Sequence, residues 1–289
     1  MLTAYDYPTA VARSSPSSNI DITLVGDSLA QVCLGYKSTT QLTLNEMIHH
    51  SRAVARGTTH PFLVADMPFG SYHASTSDAV SNAVRLVQEG RVEGVKLEGG
   101  IEIVDTVRKL TGVGIPVMAH VGLLPQRHTA MSGYKVQGRD CEGARRVLRD
   151  ALALERAGAF AMVLEAVPRE VGRYVTERLR VPTIGIGAGP WTSGQVHLMF
   201  LSIPPPDLTH ELTPQVLVFD DVMGTWAGHK AKFVRRFADV KSEREVGVRR
   251  YAEAVKSGDF PKEDRESYVM DEKEWKRFLE EEGRGSEVE

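Results

Sequence analysis

Short apolar runs recur along the chain, and each closes on a polar residue or a glycine. Residues 2–5 precede Asp6, 22–25 precede Gly26 and Asp27, 62–65 precede Asp66, and 95–97 precede Glu98. The series continues with 117–121 around His120, 161–164 before Glu165, 183–186 before Gly187, and 216–219 before Asp220 and Asp221. Runs this short, apolar throughout and bounded by turn residues, read as buried strands of a parallel sheet. Eight strands are predicted.

Helical periodicity fills the gaps. Over 77–89, Ala79, Val80, Ala83, Val84 and Val87 recur at helical spacing, and Gly90 supplies the stop. Thr43 with Glu46 three residues on has the capping-box spacing, and Leu44, Met47 and Ile48 would face inward from that helix. A third helix is predicted over 142–157, ending at Gly158. Strands and helices alternate over some 220 residues without a linker-like break. That pattern predicts one α/β domain, a (β/α)8 TIM barrel spanning 1–261. Two further helices, 232–239 and 244–257, form a helical C-terminal extension. Residues 262–289 read as a charged, partly disordered tail, with the last dozen residues unstructured.

Composition removes several function classes. A formal charge of −3 and pI near 6.3 give no basic footprint, so no nucleic-acid partner is expected. Cys33 and Cys141 lie far apart without metal-ligand spacing, which argues against a disulfide framework or a zinc site. No apolar run reaches the roughly 18 residues that span a bilayer, so a soluble protein away from membranes is expected. Mitochondrial matrix and cytosol both fit.

In a barrel, side chains at the C-terminal strand ends converge on one face, so residues distant in number become neighbours. Asp27, Asp66 and Glu98 are expected to meet there. Each alone reads equally well as an acid capping the next helix. Three together repel one another unless a hard cation neutralises them, and oxygen ligands favour Mg2+ over zinc. Lys96 stands two residues before Glu98, so strand alternation gives both the same face. A lysine there needs an anion, either a substrate carboxylate or Asp66 or Glu98 themselves. Glu165 ends another strand and is the candidate general base, because taking a proton next to a carbonyl needs a carboxylate sheltered from water. Helix capping is its alternative. His120 reads either as a core histidine or as a second-tier site residue. The glycine-rich 185–190 lacks the dinucleotide fingerprint spacing and reads as a place where a ligand or a neighbouring backbone approaches closely.

Six segments resemble ketopantoate hydroxymethyltransferase, in that family's order. They are Val25-Gly26-Asp27-Ser28-Leu29, Ala65-Asp66-Met67-Pro68-Phe69, Val95-Lys96-Leu97-Glu98-Gly99-Gly100, Gly133-Tyr134-Lys135-Val136-Gln137-Gly138-Arg139, Leu164-Glu165 and Ile184-Gly185-Ile186-Gly187-Ala188-Gly189. The resemblance runs from Thr3-Ala4-Tyr5-Asp6-Tyr7 to about Phe260-Pro261. It implies an enzyme of pantothenate biosynthesis that turns 3-methyl-2-oxobutanoate, 5,10-methylenetetrahydrofolate and water into 2-dehydropantoate and tetrahydrofolate. Folate is then a co-substrate. The resemblance also implies Mg2+ at Asp27, Asp66 and Glu98, stabilising an enolate. Keto-acid contacts fall at Ser28 and Lys96, with Asp27, Asp66 and His120 completing the substrate-facing set, and Glu165 takes the proton. It further implies a homo-oligomer, commonly a decamer of two pentameric rings. Two other readings stay open: another Mg2+-dependent keto-acid barrel, such as a carbon–carbon lyase, and a non-catalytic variant of the same family.

Two departures from the family pattern carry expectations of their own. The chain enters its first strand at Met1, where the family has a covering helix, so that helix is expected to be missing and Met1 to be internal to a longer protein. Residues 197–216, with Pro204-Pro205-Pro206, intervene before Leu217-Val218-Phe219-Asp220 and are expected to be an insertion or a translated intron.

Overall fold

The computed structural model describes residues 1–14, 18–131, 133–192, 215–225 and 230–285. Residues 197–214 of the expected insertion and 286–289 of the expected tail lie outside them. The chain divides into two compact units, Met1–Ala238 and Asp239–Glu289, whereas the sequence reading set its boundary at 261 and 262.

In the first unit, seven parallel strands pair in chain order: β1 Leu2–Thr3, β2 Ile22–Val25, β3 Phe62–Asp66, β4 Gly94–Glu98, β5 Val117–Gly122, β6 Ala161–Glu165 and β7 Thr183–Ile186. The intervening helices are α1 Tyr7–Ser14, α2 Leu29–Val32, α3 Leu44–Gly57, α4 Thr76–Gln88, α5 Val104–Gly112, α6 Cys141–Arg156 and α7 Arg169–Thr176. The sheet is curled, and alternation along each strand sends side chains to opposite faces. Leu63, Ala65, Val95, Leu97, Val117, Ala119, Met162 and Leu164 pack into the layer between sheet and helices. Val64, Met118, Ala161, Val163 and Ile184 form a second cluster on the concave face. Each fully buried aliphatic chain contributes about 1.5–3 kcal/mol.

Local signals place the helices. Thr43 caps α3 by accepting from the Glu46 amide while Glu46 accepts in return from the Thr43 amide, the reciprocal box its spacing predicts. Gly158 follows α6 at φ 103, a conformation that favours glycine.

The eighth strand differs from expectation. Gln215 makes a single parallel bridge to Gly185, the Val216 amide donates to Gly185, and the Thr3 amide donates to Leu217 at 3.3 Å. No ladder continues, because Phe219–Met223 is helical (α8), with Asp220 and Asp221 in its first turn where acids favour a helix start. The expected helix over 232–239 is also absent. Only Val234 is buried there, and Phe237 is exposed, so eight residues lack a face to bury.

In the second unit, α9 is Val240–Ser257, longer than the 244–257 expected, with Asp239 as its cap and Gly258 ending it at φ 73. The tail is not unstructured through its last dozen residues: α10 spans Glu272–Gly285, with Lys276–Glu272 and Arg277–Glu281 pairs one turn apart.

Candidate active site

The same alternation that builds the core delivers the polar residues. On the face of Val64 follows Asp66, and on that of Met118 follows His120. Val163 is likewise followed by Glu165, while Lys96 and Glu98 take the inward positions of β4. Strand register then sets neighbours: Asp66 lies opposite Lys96, Glu98 opposite His120, and Gly122 opposite Glu165. Asp27 and Ser28 enter from the turn after β2. All seven candidates, Asp27, Ser28, Asp66, Lys96, Glu98, His120 and Glu165, line one cavity of about 1000 Å³.

Lys96 is the hub. Its ammonium lies 2.8 Å from Asp66 Oδ1 and 3.2 Å from His120 Nδ1. An ammonium only donates, so Nδ1 accepts, and the ring proton is thereby assigned to Nε2, 3.3 Å from Glu165 Oε2. His120 Nδ1 also lies 3.8 Å from Glu98 Oε1. Burial, with Lys96 second, pulls His120 below its ordinary range and keeps it neutral. Burial alone would lower Lys96, but Asp66, Glu98 and Asp27 outweigh it and hold the ammonium charged.

The acids outnumber that one cation. Burial, then Asp66, pushes the Asp27 carboxyl up to about 7. Burial, then Asp27, raises Glu98 well above the carboxylate range. Each is tied to protein partners. Asp66 Oδ2 accepts from the Asp27 amide at 2.9 Å, and Glu98 Oε2 accepts from the Gln126 amide at 3.0 Å. Among the described residues, no three His, Cys, Asp or Glu side chains already stand as a metal-ligand cluster. The donor set nevertheless fits a hard divalent cation: three buried, oxygen-only acids share one lysine, and two of them are driven toward protonation by burial and then by a neighbouring acid.

Three residues that the sequence left unmarked complete the site. Gln126 is buried in the turn after β5. Its side-chain amide donates to Asp27 Oδ2 at 2.9 Å and to the Met67 carbonyl at 3.0 Å, and its oxygen accepts from the Tyr72 hydroxyl at 2.8 Å. Tyr72 is the second. Tyr5, the third, is fully buried, with its hydroxyl 2.8 Å from Ser28 Oγ. Tyr5 lies just past β1, where a strand-end search could have found it.

Two backbone features aim the base. Gly122 at φ 96 lies so close to β6 that a Cβ there would collide with the Glu165 carbonyl. Ala166 takes φ 45, a left-handed conformation uncommon for a residue with a side chain, directly after Glu165. The glycine-rich 185–190 is approached by protein neighbours: a Cβ at Gly185 would meet Thr192, and one at Gly187 would meet the Phe233 ring.

A family profile described as Ketopantoate hydroxymethyltransferase matches residues 1–200 and 209–263. The match resumes at 209, within the stretch expected to be an insertion. Relatives named 3-methyl-2-oxobutanoate hydroxymethyltransferase are similar over most of the chain. The one from Deinococcus radiodurans is 45% identical over 273 residues, 94% of this chain and 88% of the relative. That from Carboxydothermus hydrogenoformans is 46% identical over 270 residues, 93% and 90%. Among solved structures, phosphoenolpyruvate phosphomutase from Streptomyces platensis subsp. rosaceus superposes with TM-score 0.52 at 14% identity, covering 98% of this chain and 93% of that one. A 2,3-dimethylmalate lyase of the PEP mutase/isocitrate lyase superfamily gives 0.51 at 17%, covering 99% and 91%. Those two likenesses are of fold alone. With a profile over nearly its whole length and relatives above 40% identity bearing one name, the chain belongs to the ketopantoate hydroxymethyltransferase family.

Proposed function

We propose that the chain moves a one-carbon unit from 5,10-methylenetetrahydrofolate to C3 of 3-methyl-2-oxobutanoate, giving 2-dehydropantoate and tetrahydrofolate. The observation that carries this reading is the excess of buried acid around a single lysine, with His120 between that lysine and Glu165, its Nε2 3.3 Å from the Glu165 carboxylate. Lys96 and Ser28 bind the keto-acid carboxylate, since an ammonium and a hydroxyl offer it donors. Asp27, Asp66 and Glu98 hold Mg2+, which when bound supplies Lewis acidity to an oxo acid. Glu165 takes the proton from C3, and neutral His120 faces its carboxylate with Nε2 3.3 Å away. The electron pair freed at C3 forms the new carbon–carbon bond to the donor's methylene. Both methylene carbon–nitrogen bonds break, and water supplies the hydroxyl oxygen. The C3 proton and one water proton end on the two donor nitrogens, so atoms balance. Residues 215–217, bonded to β7 on one side and β1 on the other, act in this reading as the eighth stave of a (β/α)8 barrel.

The deciding assay follows 2-dehydropantoate from the keto acid with and without methylenetetrahydrofolate and with and without Mg2+. Product is expected only with both. Full turnover without the folate would refute the donor, and full turnover in excess EDTA would refute the cation.

A further inference from the structure

Tyr134 stands in the segment 133–139 and takes no part in the chemistry above. It is 56% exposed, and an exposed tyrosine ordinarily turns freely in water. This one is held at two points. Its ring stacks on His128, with centroids 5.4 Å apart and planes 5° from parallel. Three residues on, the Gln137 amide donates to the Ala166 carbonyl at 2.8 Å, which ties the segment to the residue beside Glu165. His128 is itself fixed, with Nδ1 3.0 Å from the Pro125 carbonyl. Tyr134 lines the cavity and His128 does not, so the histidine backs the ring and the opposite face looks into the cavity. Burial raises the phenol, and the carboxylates of Asp27 and Glu165 add to it, so the ring stays uncharged.

The keto acid leaves that space open. It has eight non-hydrogen atoms, roughly 240 Å³ even at the ~30 Å³ a liquid water occupies. The cavity measures about 1000 Å³. A second, larger ligand therefore enters over a neutral aromatic plate that is fixed before the ligand arrives.

We propose that Tyr134 is the stacking platform for the flat pyrimidine end of the pterin that carries the one-carbon unit. This deepens the proposed function and rests on its donor. A neutral, backed ring offers a flat π face to a flat heterocycle without selecting a hydrogen-bonding edge, and its immobility spares the ordering cost of binding.

The test titrates tetrahydrofolate calorimetrically into the Mg2+-loaded protein saturated with keto acid, for wild type, Tyr134→Ala and Tyr134→Phe. Alanine is expected to weaken binding at least tenfold and phenylalanine less than threefold, in line with aromatic stacking. Deuterium exchange at C3 of the keto acid, measured without folate, is expected to stay within twofold in both variants. Unchanged affinity in Tyr134→Ala overturns the platform, as does an equal fall in exchange and affinity, which would mark general damage. If wild type itself binds no tetrahydrofolate, the donor assignment fails and takes this inference with it.

Discussion

Asp27→Asn separates what the acid cluster costs the fold from what it supplies to the reaction. Asp27 is buried beside Asp66, and its carboxyl is pushed from 3.8 up to about 7. The rise is about three units at about 1.4 kcal/mol each, so the ionised form burdens the metal-free fold by up to about 4 kcal/mol. Because Asp27 titrates together with its neighbouring acids, only part of that, on the order of 2 kcal/mol, belongs to Asp27 itself. The sign follows from proton binding. A raised carboxyl means that the folded state holds more protons than the unfolded one between about pH 4 and 7, so stability falls as pH rises through that window. The penalty is absent below about pH 4 and complete above about pH 7. Asparagine keeps the shape and still accepts from Gln126, but carries no charge. In EDTA at pH 8 the variant should therefore be more stable than wild type by about 2 kcal/mol, a rise in Tm of about 4–8 °C for a domain of this size. The gap should close by about pH 4, and Mg2+ should stabilise wild type but not the variant. Melting curves across pH, with and without Mg2+, read all three. A variant less stable at pH 8, or a gap that does not change with pH, would refute the charge argument.

Three further outcomes are expected. Glu165→Gln should retain keto-acid binding yet slow deuterium exchange at C3 by about a hundredfold or more, and exchange at the wild-type rate would remove Glu165 as base. Gln126→Leu leaves Asp27 Oδ2 and the Met67 carbonyl without their buried partner, at about 1–3 kcal/mol each, while the Tyr72 hydroxyl keeps its bond to the Glu98 carbonyl at 3.1 Å. Urea unfolding should show a loss of about 2–5 kcal/mol, and a loss below about 1 kcal/mol would mean that the two groups find other partners. Thr43→Ala should cost about 1 kcal/mol through the broken cap of α3, measured the same way and absent when serine is used instead.

Much of the molecule was legible because strands of a curled parallel sheet obey a simple alternation. The rule that the first polar residue after an apolar run faces the cavity located Asp27, Asp66, Glu98 and Glu165 without reference to distance in the chain. Gln126 escaped it because it sits in the turn Pro125–Arg127, beyond β5, where neither alternation nor helical period operates. Tyr5 escaped for another reason: as an aromatic at a strand end it reads as core, and only the Ser28 contact exposes its polar tip. Only the end of the run 216–219 departs from the expected strand: its first residues bond to β7 and β1, while Phe219, followed by two acids, enters α8, which four apolar residues alone do not reveal. In α10, charged composition concealed a helix laced by ion pairs one turn apart.

In each of β3 to β6 the reactive side chains share a face with the concave core, while the alternate positions of the same strand are packed under helices. Deleting one residue within β4 would therefore not shorten the site but invert it, sending Lys96 and Glu98 into oil and Leu97 into the cavity. Length changes compatible with turnover must fall between strands, so tolerated insertions and deletions in a mutational scan should map as a comb whose missing teeth are these four strands.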